Sequence, residues 1–255
     1  KVRLIQLSIE EDSCREISDI GHTRVYKTDR LGMPLIETVT YPDMVNPNEV
    51  KEACDYIRFL NRSTGKVRTG MGAGRQDVNV SCKGGTRIEI KGVSHTKWIP
   101  ELTHVEAYRQ WALLHVRKLL NERTEEKSWK PKVTKLNFFE YDFNNEHLKE
   151  VRGLGYKFYV FNLPHFKGIL SHFTQPTKVF ADEIADRLKV IACIERPNLS
   201  HSEELEPFID AANYSKLQKN IGANSTDAQI IFWGPEEDIE TAIENIEERC
   251  RMTFE

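Results

Sequence analysis

The sequence predicts an α+β protein with two domains, in which an antiparallel-sheet domain comes first and a smaller α/β domain follows. Three observations carry this prediction. The length of 255 residues suits two modest domains. Residues 1–93 hold strand-like runs bounded by Gly, Asp and Pro. Beyond residue 132, strand-like and helix-like patterns alternate.

Strands dominate the start of the chain. Three runs rich in apolar and β-branched residues are expected as strands, at residues 2–9, 23–28 and 33–40. Pro42 and Pro47 then interrupt the strand pattern, and apolar residues recur at helical spacing through residues 49–63. We therefore expect a helix at 47–63 after the third strand.

A glycine-rich segment, GMGAGRQDVNVSCKGGTRIEIKGV (residues 70–93), follows that helix. A phosphate-binding glycine loop needs a strand before it and a helix after it, and here the order is reversed. The segment is instead expected to form a hairpin, because two alternating runs, 77–82 and 86–92, flank a Lys-Gly-Gly turn. Its first three glycines are then turn residues.

The second half begins with a long helix, expected at 101–122 behind Pro100. The charged run 122–132 marks the predicted domain boundary, giving domains at 1–128 and 129–255. Within the second domain we expect strands at 157–163, 190–195 and 227–234, and helices at 177–189, 202–220 and 235–250.

Charge is unevenly distributed. The net charge is −3, yet residues 61–120 hold 11 basic and 4 acidic residues. Such a basic block fits a phosphate-rich partner such as nucleic acid, and it also fits an ordinary charged face.

The five cysteines form no metal-binding motif, which favours free thiols in a reducing cytoplasm. With neither a signal peptide nor a membrane-length apolar run visible, we expect a cytoplasmic protein without membrane contact.

Both strands of the predicted hairpin place polar residues on one face. Alternation groups six polar side chains: Asp77, Asn79, Ser81, Arg87, Glu89 and Lys91. This face is either a solvated sheet surface or a floor that binds Mg²⁺ and phosphate, since carboxylates suit Mg²⁺ and basic groups suit phosphate. The Glu10-Glu11-Asp12 run and Glu37 could join such a floor, although Glu37 also fits a solvent face.

Three motifs resemble the B and E subunits of tRNA-dependent amidotransferases. They are IEEDSCR (9–15), TDRLGMPLIETVTYPDMVNPNEV (28–50) and RQDVNVSCKGGTRIEIKGV (75–93). The compact hairpin turn is more similar to the archaeal-type E subunit. The runs FNLPHFKGIL, FADEIADRLK and DAQIIFW resemble the insertion domain that E subunits share with bacterial aspartyl-tRNA synthetases.

The resemblance implies ATP- and Mg²⁺-dependent conversion of Glu-tRNA(Gln) to Gln-tRNA(Gln) in a hetero-oligomer. ATP would phosphorylate the γ-carboxylate of the tRNA-bound glutamate, and ammonia from a partner amidase-type D subunit would displace the phosphate. Carried over residue by residue, it implies metal-binding and catalytic acids at Glu11, Glu37 and Glu89. Arg75, Asn79 and Lys91 are the implied ATP- and phosphate-binding residues.

The chain also departs from the family pattern. Ser8 stands where B subunits have a histidine, and SHSEELEP (200–207) replaces a His-Thr-Asp-Glu-Leu-Pro-like segment. These departures keep open a tRNA-binding or assembly module without catalysis. A third reading is a B-type subunit or an aspartyl-tRNA synthetase relative. The synthetase lacks the RQDVNVS–EIKGV hairpin, which argues against a synthetase relative. The rest of the cradle, the catalytic domain of these subunits, is missing, so this chain alone is expected to hold half an active site and to be inactive.

Overall fold

A computed structural model describes residues 1–70, 72–141, 143, 145–204 and 209–255. The chain divides into two compact units. The first unit comprises residues 1–19 and 23–111, and the second comprises residues 20–22 and 112–255. The division between the units at residues 111/112 falls inside a long helix. The predicted domain boundary at 128/129 stays a prediction.

Six strands lie in residues 1–93: β1 (Leu4–Glu11), β2 (Arg15–Ile20), β3 (Thr23–Lys27), β4 (Pro34–Thr40), β5 (Gln76–Val80) and β6 (Ile88–Val93). They form two-stranded sheets, β1 with β4, β2 with β3 and β5 with β6. The predicted strands and the predicted hairpin are thereby confirmed. Strand β2 was not predicted, because its sequence REISDI is polar and charged.

Helix α1 (Pro47–Ser63) begins where the sequence predicts it. The Asn46 side chain accepts hydrogen bonds from the backbone of Asn48 and Glu49, and Pro47 occupies the first turn. Val50 and Cys54 of this helix pack against a small core of four buried residues, Val78, Val80, Val93 and Ile99. The hairpin therefore buries its valine face, as its alternation predicts.

Helix α2 (Ile99–Arg123) leads into the second unit, whose strands are β7 (Lys132–Lys135), β8 (Lys157–Leu163), β9 (Phe173–Gln175), β10 (Lys178–Val179), β11 (Leu199–His201) and β12 (Ala228–Gly234). Its helices are α3 (Glu146–Gly153), α4 (Phe180–Ile191), α5 (Ala211–Ile221) and α6 (Ile239–Arg251). The main sheet has the strand order β11-β12-β8-β7 and is antiparallel throughout. The predicted α/β character of this half is therefore wrong, and the unit is α+β. With residues 20–22 and 112–255 it is the larger of the two units.

Both faces of this sheet are covered. Phe161 and Ile230 point into one core with residues of α4 and α6. Val160 and Ile231 point into the other core with residues of α3 and α5. Because alternate residues of β8 and β12 enter opposite cores, both strands read as continuous apolar runs.

One predicted strand of the second half is wrong, and one predicted helix begins later than expected. Residues 190–195 were expected as a strand, but Val190 and Ile191 complete α4 and the following residues are irregular. A short apolar run cannot be distinguished from a helix end by periodicity. Helix α5 starts at Ala211, capped by Asp210, rather than at residue 202. Residues 205–208 of the predicted helix lie outside the described residues.

All five cysteines are free thiols, as expected. Across the residues that the structure describes, no helix is both long enough and apolar enough to cross a bilayer.

Candidate functional site

The β1–β4 ribbon brings two carboxyl groups together. Ser8 lies directly opposite Glu37 in the antiparallel register, so these residues share a face with Glu10, two positions along β1. The Ser8 hydroxyl donates to Glu37 Oε2 at 3.4 Å. Glu10 and Glu37 are diagonal neighbours on that face, and the nearness of Glu37 raises the pKa of Glu10. The predicted acid Glu37 therefore has a carboxyl partner on the neighbouring strand.

Glu11 lies on the other face of the ribbon. Its register partner is Pro34, one position from the pair that holds Glu10, and successive residues of a strand point to opposite faces. A Cβ atom at Gly32 would come within 3.3 Å of Glu11 Oε1, so this carboxylate lies beside the turn that precedes β4. Glu11 and Glu37, both predicted as metal ligands, are thus not adjacent in this structure.

Arg75 is held at the end of β1 by Asp12, which belongs to the predicted Glu-Glu-Asp run but was not among the six predicted site residues. Its Nη2 atom lies 3.0 Å from Asp12 Oδ1, and Arg30 Nε lies 3.6 Å from Asp12 Oδ2. Asp12 is only 7% exposed. Burial acts to raise the pKa of Asp12, but the hydrogen bond from Arg75 and the charges of both arginines outweigh it and lower that pKa. Asp12 is therefore ionised and fixes the start of the hairpin.

The polar face of the β5–β6 hairpin is exposed, as predicted, and its side chains contact one another. Asn79 lies opposite Glu89 in the register. Arg87 Nη1 donates to Asn79 Oδ1 at 2.9 Å. Lys91 Nζ lies 3.3 Å from Glu89 Oε2 and 3.9 Å from Asp77 Oδ2. Three predicted site residues, Asn79, Glu89 and Lys91, therefore share one polar patch.

The six predicted residues thus fall into separate places. Glu37 joins Glu10, Arg75 joins Asp12 beside Glu11, and Asn79, Glu89 and Lys91 occupy the hairpin face. Among the described residues, no three His, Cys, Asp or Glu side chains converge as metal ligands would. The described part of the chain therefore offers a pair of carboxyl groups rather than a complete set of metal ligands.

The proximity of Glu37 has a measurable electrostatic consequence. The hydrogen bond to Glu37, followed by its charge and by partial desolvation, raises the pKa of Glu10 above its ordinary value of 4.5. Two carboxylates so close repel each other unless a proton or a cation lies between them. Carboxylate oxygens are the ligands that Mg²⁺ prefers, so the pair is chemically suited to hold part of its coordination shell.

Sequence reasoning missed the specific roles of Glu10 and Asp12, although the Glu-Glu-Asp run was recognised as a carboxylate cluster. Which of its three members faces Glu37 depends on the register of β1 against β4. Counting along β1 from Ser8, had its pairing with Glu37 been known, would have selected Glu10.

Comparison with known families identifies the class of protein. A family profile described as the GatB/GatE catalytic domain matches residues 1–153. The chain belongs to this family. The match contains the β1–β4 ribbon and the hairpin, so every predicted site residue lies within it.

Individual relatives are named more specifically. The chain is 35% identical to the E subunit of glutamyl-tRNA(Gln) amidotransferase from Sulfolobus acidocaldarius, over 100% of this chain and 40% of the relative. It is 37% identical to the protein of the same name from Methanocaldococcus jannaschii, over 98% of this chain and 40% of the relative. The resemblance to E subunits that the motifs indicated is confirmed, and the chain spans about 40% of the length of these relatives.

Proposed function

We propose that this chain carries part of the active site of an ATP-dependent amidotransferase that converts Glu-tRNA(Gln) to Gln-tRNA(Gln). The relatives bear the name of this activity, and the chain covers about 40% of their length. The observation that carries the proposal is the carboxyl pair Glu10–Glu37, because phosphoryl transfer needs a cation held by oxygen ligands.

The reaction has two balanced steps. First, a γ-carboxylate oxygen of the tRNA-bound glutamate attacks the γ-phosphorus of ATP, the bond to the β–γ bridging oxygen breaks, and ADP leaves with that electron pair. The product is an acyl phosphate. Then ammonia attacks the activated carbonyl carbon, phosphate departs with the C–O electron pair, and the nitrogen loses a proton to give the amide. Lys91 and Arg75 are the proposed contacts for phosphate oxygens.

Magnesium is the cation expected for this chemistry, where it offsets the charge of the phosphate oxygens. Glu10 and Glu37 fit it, because their shared face supplies two carboxyl groups and the Ser8 hydroxyl. Glu11 and Glu89 remain proposed ligands from the family resemblance. In the described part of the chain, Glu11 lies on the other face of the ribbon and Glu89 lies on the hairpin. Either residue would join the same cation site only if other parts of the protein supplied further oxygen ligands or moved these side chains toward the pair.

The proposal places the chain in a cytoplasmic hetero-oligomer. An amidase-type D subunit would supply ammonia, and Glu-tRNA(Gln) would be the second substrate. Residues 61–111 of the first unit hold 9 basic residues against 4 acidic ones, and this excess supports a polyanionic substrate there.

The proposal is tested in the full-length subunit assembled with its amidase partner. Glu37→Gln is expected to abolish ATP-dependent Gln-tRNA formation, because a neutral amide cannot replace the carboxylate that holds the cation. Glu16→Gln, the same chemical change at an exposed position of β2, should leave the rate unchanged. Unchanged Gln-tRNA formation by Glu37→Gln would refute the site.

The same assay can show which face of the β1–β4 ribbon binds the cation, by comparing variants of Glu10 and Glu11. Glu10→Gln should raise the Mg²⁺ concentration needed for half-maximal rate by about tenfold or more, and Glu11→Gln should raise it less. The reverse order would favour the family-based choice of Glu11 over the register-based choice of Glu10.

Two observations favour a second candidate, a tRNA-binding or assembly module without catalysis. The described residues contain no three-ligand metal cluster, and Ser8 stands where B subunits carry histidine. Magnesium-dependent ATP binding by the full-length subunit decides between the two. Intact tRNA affinity without ATP binding would support the module.

A further inference from the structure

Helix α1 presents an outward face that the fold leaves uncovered. None of its residues is fully buried, and Val50 and Cys54 mark the side that packs against the core of the first unit. On the outward side, Tyr56 is 61% exposed and Phe59 is 64% exposed. Large aromatic side chains exposed to solvent on one helix face indicate an interaction surface.

A groove of about 460 Å³ runs along this outward face. Its lining residues recur at helical spacing: Asp55, Arg58, Phe59, Arg62 and Ser63. Lys51 Nζ lies 2.7 Å from Asp55 Oδ2, so the negative charge of Asp55 is neutralised by an ion pair within the helix. Arg58 donates to Thr96 Oγ1 at 3.3 Å, which orients its guanidinium. Arg58 and Arg62 therefore determine the sign of the groove, and they flank the exposed Phe59 ring.

The positive character continues beyond the helix. Residues 56–76 contain no Asp or Glu, and their five basic residues are Arg58, Arg62, Lys66, Arg68 and Arg75. In the part of the chain that the structure describes, neither Arg62 nor Lys66 forms an ion pair with a carboxylate. The carboxyl end of a helix carries about half a negative charge, which the full charges of Arg62 and Lys66 outweigh.

We propose that the α1 groove and the basic residues at 62–68 bind the sugar-phosphate backbone of RNA, with Phe59 stacking on an unpaired base. Arginines beside an exposed aromatic ring suit single-stranded RNA, because phosphates take the charges and a base takes the ring. An acidic protein segment would satisfy the arginines but not the ring. The proposal rests on the proposed function, in which the second substrate is a tRNA.

The charges are tested by tRNA binding to the full-length subunit across a range of salt concentrations, without ATP. The double variant Arg62→Gln/Lys66→Gln should bind tRNA about tenfold more weakly at moderate salt. It should also flatten the plot of log affinity against log salt by about 2, roughly one unit per lost phosphate contact. Lys118→Gln/Lys130→Gln removes the same charge from exposed positions of the second unit and should change neither quantity.

The aromatic contact is tested separately. Phe59→Leu keeps an apolar side chain in the groove but removes the stacking surface. It should weaken tRNA binding by roughly fivefold or more and leave the salt dependence unchanged. A loss of salt dependence in this variant would contradict a stacking role, because stacking releases no counterions.

The outcomes separate this proposal from the proposed function. If Glu37→Gln abolishes Gln-tRNA formation while the double variant binds tRNA like the unmodified subunit, the groove is refuted and the function stands. If the unmodified subunit binds tRNA through the groove but forms no Gln-tRNA, the function is refuted and the groove stands. Intact tRNA affinity combined with lost binding of the amidase subunit would reassign the groove to a protein partner.

Discussion

The first unit leaves many of its large apolar side chains exposed to water, whereas the second unit buries most of its own. Among the described residues of the first unit, the buried apolar cluster consists of Val78, Val80, Val93 and Ile99. On its β1–β4 ribbon, Ile9 is 84% exposed. In the second unit, a four-stranded sheet carries an apolar core on each face. The sheet of the second unit is thus stabilised by packing on both sides, and the ribbon of the first unit is not.

The candidate site lies in the unit with the smaller core. Its geometry depends on specific polar contacts, such as Arg75 with Asp12 and Ser8 with Glu37, more than on packing. Glu37 and Arg75 are exposed to solvent, so both side chains can take new partners without loss of apolar packing. The comparison indicates that substitutions should affect stability in the second unit and activity in the first.

The largest expected effect is a core truncation in the second unit. Phe161 is fully buried at the centre of the sheet, so Phe161→Ala should lower the free energy of unfolding by about 3–5 kcal/mol. Ile9→Ala on the exposed ribbon is the matched change in the first unit and should cost about 0.5 kcal/mol or less. Urea denaturation of the 255-residue chain, followed by tryptophan fluorescence, measures both.

The contrast between the two units would be contradicted if Ile9→Ala lowered the free energy of unfolding as much as Phe161→Ala. Such a result would show that the ribbon face is covered in solution, by chain self-association for example. Repeating the measurement at several protein concentrations would detect that, because association makes apparent stability concentration-dependent.

An intermediate effect is expected from a buried histidine in the second unit. Burial lowers the pKa of His201 from 6.5 to about 4, although the charges of Glu203 and Asp182 oppose that shift. The unfolded chain therefore takes up a proton as the pH falls below 6.5, and the folded chain does not until about pH 4. This stability contribution is present above pH 6.5 and is lost as the pH falls from 6.5 toward 4, by roughly 3 kcal/mol.

His201→Asn isolates this contribution. His201 Nδ1 accepts a hydrogen bond from the Glu203 backbone at 3.3 Å, and an asparagine oxygen can accept the same bond. The stability difference between the two proteins should therefore change with pH in the acid range and stay constant above pH 6.5. Parallel stability curves from pH 7 to pH 4 would show that His201 does not titrate as its burial requires.

The comparison also explains what the sequence could predict. Alternation in DVNVSC and TRIEIKG predicted which hairpin face is buried, because one face of that hairpin is apolar and the other is polar. The doubly covered strands β8 and β12 have no such alternation, yet their length and composition sufficed to predict them. The run 190–195 failed, since an apolar helix end and a short strand share one composition.

The register of β1 against β4 could not be predicted from the sequence. The motifs indicated that Glu37 and the Glu-Glu-Asp run belong to one site, but not that Glu10 rather than Glu11 shares the face of Glu37. A shift of one residue in the pairing of β1 with β4 would reverse that choice. The ion pair of Asp12 with Arg75 joins residues 63 positions apart, and no local pattern encodes it.

The smallest expected effect on stability lies on the hairpin face. The Lys91 side chain is 75% exposed and lies near Glu89 and Asp77, and such surface pairs contribute about 0–1 kcal/mol. Lys91→Gln should therefore change the free energy of unfolding by about 0.5 kcal/mol or less. If Lys91 contacts phosphate as proposed, the same variant of the full-length subunit should raise the KM for ATP by about tenfold.

Lys118→Gln is the matched control for Lys91→Gln. Lys118 is 72% exposed and lies 3.9 Å from Glu122, so it resembles Lys91 in exposure and pairing but lies in the second unit. It should change neither stability nor the KM for ATP. A large stability loss in Lys91→Gln with an unchanged KM would mean that the polar hairpin face supports the fold. In that case the face would be a solvated sheet surface, the alternative that its sequence alone left open.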